Sequence, residues 1–135
     1  MAVSLGTAVL AAAAMLGFHL YPRTGLDRVR HVLDWSGCTS VDRRDGGPAY
    51  TRRWPGIRSE ATLVCEDLGP QVFYARLGSS KERSAALRAA APDEPYCVYG
   101  KAELVVYVAI QRAEREQSCG KLGGSLRRPS TRGRR

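Results

Sequence analysis

The chain has no asparagine, two isoleucines, two phenylalanines and three lysines, set against eighteen arginines. GC-rich codon usage depletes the first group and enriches arginine, alanine and glycine. The arginine excess therefore reads first as codon bias, and only second as selection for the bidentate grip of a guanidinium on phosphate. Catalytic and metal-binding signatures are equally scarce. There is no C-x-x-C, no H-E-x-x-H and no G-x-S-x-G, and Gly120-Lys121 lacks the glycine five positions upstream that a phosphate loop requires. Only His19 and His31 supply imidazole, and His19 lies in a hydrophobic run. A Ser-His-Asp triad would rest on His31 alone, an ordinary helix-surface residue by its setting.

The first 21 residues lack charge altogether. In a helix this stretch spans about 30 Å, enough to cross a bilayer core. Residues 1–22 are expected to be a signal peptide or a membrane anchor. Ala12 and Ala14 offer a small-x-small cleavage site, but the usual basic n-region is missing, as it would be if the true start lay upstream. Arg23, Arg28 and Arg30 follow closely and favour a cytoplasmic domain by the positive-inside rule. The cysteines argue the other way. Cys38, Cys65, Cys97 and Cys119 are even in number and widely spaced, whereas a zinc site shows close ligand pairs. Two disulfides in an oxidising compartment explain them better than four buried thiols do. The expected location is extracytoplasmic, secreted or membrane-anchored. No cofactor is expected.

The net charge of +8 is concentrated at the chain end. Arg127, Arg128, Arg132, Arg134 and Arg135 supply five units, and residues 24–126 hold 15 basic and 13 acidic residues. The high isoelectric point is thus mostly an effect of residues 125–135, expected to form a disordered basic tail. It is weak evidence for nucleic-acid binding by the body, and nucleic acid is not an expected partner.

Between these ends, residues 24–124 read as a single domain. Leu26, Val29, Val32 and Leu33 recur at helical spacing over 24–36, with Thr24 and Asp27 as a capping box and Gly37 as the stop. A short strand over 38–43 follows. Residues 60–66 and 71–77 alternate as strands around the turn Asp67-Leu68-Gly69-Pro70, which predicts an antiparallel hairpin. Ser79 and Glu82 cap a helix that Pro92 closes. Residues 96–99 and 103–108 flank Gly100-Lys101 as a second hairpin, and the second of these strands, the most apolar, belongs at the centre. Residues 111–122 favour a helix ended by Gly123 and Gly124. The fold class is α+β: an antiparallel sheet of four or five strands with two or three helices packed on one face, behind an N-terminal hydrophobic helix. Leu63, Phe73 and Leu104 are expected on the helix-covered side. Three disulfide connectivities are open. Cys38–Cys65 and Cys97–Cys119 are expected because each ties a helix end to a strand nearby in sequence, with a stabilisation of about 3 kcal/mol per bridge.

Two stretches invite a functional reading. Residues 43–58 form a loop rich in arginine, glycine and proline that also holds aromatics. Tyr50, Arg52, Arg53, Trp54 and Arg58 are the expected contact surface, since basic residues interleaved with aromatics grip polymers. The arginine-rich tail can hold nucleic acid, wall polymer or anionic lipid by counterion release. Ser118 and Lys121 match S-x-x-K, but further motifs such as K-T-G are absent, and no enzyme is expected. Arg127-Arg128-Pro129-Ser130 matches a basic-directed kinase substrate by chance composition.

Trp35-Ser36-Gly37-Cys38, Pro95-Tyr96-Cys97-Val98 and Cys119 followed by Leu122-Gly123-Gly124 resemble features of small exported or membrane-anchored proteins of uncharacterised function in high-GC bacteria. The resemblance covers residues 26–124 and names no family. Its motifs are structural and carry no activity across. The leading expectation, from the sequence as a whole, is a non-enzymatic, disulfide-stapled extracytoplasmic domain that binds a protein or an envelope component. The alternative is a binder of anionic polymer through the tail and the 43–58 loop.

Overall fold

A computed structural model of the chain describes residues 25–129. The expected N-terminal hydrophobic helix and the last six residues of the tail lie outside the described residues. Among the described residues, no helix is long and apolar enough to cross a membrane.

The chain runs α1 (Gly25–Val32), β1 (Val41–Asp45), a 3-10 turn (Ala49–Arg53), β2 (Ile57–Cys65), β3 (Gly69–Leu77), α2 (Ser80–Ala89), β4 (Tyr96–Tyr99), β5 (Glu103–Tyr107), α3 (Arg112–Lys121) and β6 (Ser125–Arg127). The six strands form one sheet in the order β1-β2-β3-β5-β4-β6, and every neighbouring pair is antiparallel. Both expected hairpins are present. β2 turns into β3 with Cys65 opposite Gly69, whose φ of +85° suits a residue without a Cβ. β4 turns into β5 with Tyr99 opposite Glu103, so the connection has three residues where two were expected.

The α+β class holds, with two corrections. The sheet has six strands, because Ser125–Arg127, expected in the tail, pairs with β4. The helices cover both faces of the sheet. One face carries Leu26, Val29 and Leu33 of the α1 segment and Cys119 and Leu122 at the end of α3, over Leu63, Val72, Tyr74 and Val105. The other carries Ala86 of α2 and Trp54 over Phe73, Ala75, Leu104 and Val106. Leu63 is thus separated from Phe73 and Leu104 by the sheet itself. The topology explains this arrangement. β3 and β4 are parallel with β5 between them, joined through α2. β5 and β6 are parallel with β4 between them, joined through α3. Both crossovers step the same way across the sheet, but their first strands run in opposite directions. Crossovers of one hand must then place their helices on opposite faces.

Local chemistry sets the helix ends. α1 stops at Val32, well before Gly37. The Trp35 indole donates to the Arg30 carbonyl (2.8 Å), and the Asp34 carboxylate accepts the Ser36 N–H (2.9 Å). These bonds turn the chain before it reaches Gly37, which does not take a positive φ. Asp34 N–H also donates to Glu114 (2.8 Å), tying the end of α1 to α3. At α2 the Ser79 hydroxyl accepts the Glu82 N–H (3.1 Å), as expected, while the Glu82 carboxylate reaches the Gly78 N–H (3.2 Å). α3 ends in a Schellman turn. Gly124 N–H bonds the Cys119 carbonyl (3.0 Å), Gly123 N–H bonds the Gly120 carbonyl (3.0 Å), and Gly123 has φ +73°. The turn delivers the chain directly into β6.

Cys38 bonds Cys65, with Cα atoms 5.6 Å apart, and Cys97 bonds Cys119, at 5.7 Å. The expected pairing is the one found, and none of the four thiols is free. The second bridge lies in the core, its two residues 0% and 2% exposed. Paired cysteines of this kind point to an oxidising, extracytoplasmic environment.

Candidate functional site

Trp54 is not part of a surface. It is 5% exposed, its indole N–H donates to the Ala90 carbonyl (2.6 Å), and its ring meets Tyr50 at 5.5 Å and Phe73 at 6.2 Å. The indole satisfies a carbonyl at the end of α2 and fills the core beneath that helix. Tyr50 is half-buried, and burial, followed by the charges of Glu94 and Asp93, pushes its phenol pKa up. Gly47 lets the loop lie directly on Phe73, because a Cβ there would sit 2.2 Å from the ring. Arg52, Arg53 and Arg58 remain exposed. The aromatics and arginines of the 43–58 loop therefore do different work, and the expected interleaved surface is not assembled.

A different basic surface is built by the crossovers. α2 lies over the centre of its sheet face, and β6 extends the sheet beyond it. A groove of about 310 Å³ lies between them. Arg83, Ser84, Leu87 and Arg88 share one face of α2 by their spacing. They line the groove together with Tyr96 and Val98 of β4 and Arg127 of β6. No carboxylate is among the lining residues. One guanidinium nitrogen of Arg83 donates to the carbonyls of Tyr99 (2.8 Å), Glu103 (2.8 Å) and Gly100 (3.4 Å), which fixes its charge at the groove wall. Burial, and then the like charge of Arg127, lower the pKa of Arg83. Among the described residues, ion pairs form only at Arg43–Asp45 and Arg112–Glu116, so none of the groove's cations is in a contact ion pair, while the charge of Glu103 offsets part of the lowering at Arg83.

A second, more open groove of about 520 Å³ lies at the end of the sheet, lined by Arg58, Arg76, Gly78, Lys101 and Glu103 among others. Its carboxylate is engaged: Glu103 accepts the Tyr74 hydroxyl (3.0 Å). The nearby Glu82 accepts the Gly78 N–H. A third pocket, of about 250 Å³, is apolar and lies between Tyr50, Pro70, Phe73 and Val108.

Ser118 is 1% exposed, and its hydroxyl bonds the Tyr107 hydroxyl (3.0 Å) and the Arg115 carbonyl (3.2 Å). Lys121 is exposed. The S-x-x-K residues thus serve the core and the solvent face respectively. His31 is exposed on α1. Among the described residues, no three His, Cys, Asp or Glu side chains are grouped to hold a metal ion.

Of the basic residues that line these two grooves, the sequence reading singled out Arg58, in the 43–58 loop, and Arg127, in the tail, but not Arg83, Arg88, Arg76 or Lys101. Each of these looks like an ordinary solvated residue of a helix, strand or turn, and only the topology brings them together. No family model, curated protein or solved structure matches the chain, which agrees with a sequence resemblance that names no family.

Proposed function

We propose that this chain is a non-enzymatic binding domain of the extracytoplasmic space, secreted or held at the membrane by its N-terminal hydrophobic segment, and that its ligand is anionic. The observation that carries the reading is the groove between α2 and β6, where three guanidinium groups converge without a carboxylate on the lining. Like charges held together are costly, and an anion that bridges them relieves the repulsion while making charge-assisted hydrogen bonds. Arginine suits this role because its planar fork matches phosphate, sulfate and carboxylate oxygens. The two disulfides support placement outside the cytoplasm and a rigid frame for the groove.

The test is salt-gradient elution from heparin. Arg88→Gln/Arg127→Gln should leave the column at clearly lower salt than the unaltered chain, because each lost anion contact reduces counterion release. Removal of residues 130–135 gives the contribution of the remaining tail and leaves β6 intact. Elution of the double variant at the unaltered position would refute the groove as the binding site.

A further inference from the structure

The two basic grooves meet. Arg83, on the wall of the first, is bonded to the carbonyls of Tyr99, Gly100 and Glu103. Lys101 and Glu103, on the β4–β5 hairpin and the start of β5, line the second. The hairpin is therefore the shared rim. Side chains alternate along β3, so Arg76 points away from the face that takes Ala75 and Leu77. The basic surface thus bends over the end of the sheet from one face to the other. Starting at Arg127 opposite Tyr96, it follows β4 to the hairpin over about 10 Å. From there it crosses three strand spacings to Arg58 on β2, about 14 Å more.

Resting on the reading of the α2–β6 groove as an anion site, we propose that Arg127, Arg88, Arg83, Lys101, Arg76 and Arg58 form one track of about 24 Å for a flexible linear polyanion without bases, such as a chain of phosphate, sulfate or uronate groups. Five of the six cations are exposed and Arg83 is partly so. None pairs with a carboxylate among the described residues. Glu103 lines the second groove and Glu82 lies near it; both keep their negative charge, held in place by bonds from the Tyr74 hydroxyl and the Gly78 N–H, and the six cations of the track outnumber them. Aromatic stacking platforms, which single-stranded nucleic acid uses, are missing from the track, since Tyr96 and Tyr99 are 8% and 3% exposed and Trp54 lies in the core. A rigid rod would not follow the bend, whereas a flexible chain does. A ligand with one or two charges occupies only one groove. A long one engages both and gains affinity through effective concentration.

The experiment is calorimetric titration of the full disulfide-bonded chain at fixed ionic strength with inorganic phosphate, tripolyphosphate, long-chain polyphosphate and single-stranded DNA of matched charge. Long polyphosphate should bind at least 100-fold more tightly than tripolyphosphate, and DNA no more tightly than polyphosphate. Arg76→Gln/Lys101→Gln should weaken the long chain at least 10-fold and leave tripolyphosphate unchanged. Arg88→Gln/Arg127→Gln should weaken both. The altered side chains are exposed, and unchanged circular dichroism and intact mass confirm folded, oxidised variants. If tripolyphosphate matches the long chain, or the Arg76/Lys101 variant matches the unaltered protein, the track is overturned while the anion groove stands. Tighter binding of DNA overturns the base-free ligand. Equal binding to anionic-lipid vesicles that polyphosphate does not displace overturns the polymer. No binding to any probe overturns the track and the groove together.

Discussion

Replacing Cys97 and Cys119 together by alanine opens the bridge between β4 and the last turn of α3. The sequence separation of 22 gives a chain-entropy loss of about 3.4 kcal/mol. The separation of 27 for Cys38 and Cys65 gives about 3.5 kcal/mol, so on loop length alone the two bridges are equivalent. Burial separates them. Cys97 and Cys119 are 0% and 2% exposed, whereas Cys38 is half-buried beside a buried Cys65. Removing two sulfur atoms from the core leaves a void comparable to two deleted methyl groups, a further cost of about 1–3 kcal/mol. Cys97→Ala/Cys119→Ala should therefore lose about 4–6 kcal/mol, much of the stability of a domain of this size. The corresponding fall in Tm is roughly 20 °C or more. Cys38→Ala/Cys65→Ala should lose clearly less than the core pair, because Cys38 is already partly exposed. Urea unfolding of both variants at one pH and temperature measures the difference. Equal losses, or a larger loss for the 38–65 variant, would show that core burial does not set the worth of these bridges.

Three further outcomes follow from the packing. Gly124→Ala would place a Cβ 2.6 Å from both the Cys97 sulfur and the Val98 carbonyl, and it should cost about 1–3 kcal/mol in denaturant melts. Gly120→Ala, where the added Cβ meets nothing within 4 Å, is the matched control and should not destabilise. Trp54→Phe keeps the packing but strands the Ala90 carbonyl; it should cost about 1–2 kcal/mol, and in a Trp35→Phe background Trp54 should emit at short wavelength and resist acrylamide. Burial, then the Glu103 charge, raises the pKa of both Tyr74 and Tyr99, so they stay neutral in the folded domain when the unfolded chain ionises. Their contribution is full below the unfolded tyrosine value near 10, and stability should fall above it by about 2.7 kcal/mol per pH unit for the two together. The part of the absorbance at 295 nm that Tyr74→Phe/Tyr99→Phe removes should then rise with unfolding and not ahead of it.

The hairpins were legible because period-two alternation met turn residues at Asp67–Pro70 and at Gly100. The disulfide pairing was legible because each bridge ties the end of a helix to a strand nearby in sequence. The second covered face was not read, although Leu104-Val105-Val106-Tyr107 carries its signal: a strand apolar at every position has no wet side. β6 escaped because Ser125-Leu126-Arg127 has one apolar residue and no period; its place is set by the Schellman turn and by β4. Trp54 was misjudged by the polarity of its neighbours. Its indole N–H needed an acceptor, and that acceptor lay 36 residues away at the end of α2. The basic groove joins residues of one helix to a strand some 40 positions later, a conjunction that exists only once the two crossovers are in place.

The position of β6 has a consequence for how the molecule is completed. A chain that emerges vectorially, amino end first, can close its two long hairpin strands early. β4 then waits with an open edge, and Cys97 waits with an unpaired thiol, until residues 119–127 appear, with Cys119 22 positions after its partner. One segment, emerging after every other element of the sheet, seals both the edge and the thiol, so a chain clipped before it would be sticky and open to the wrong cross-link.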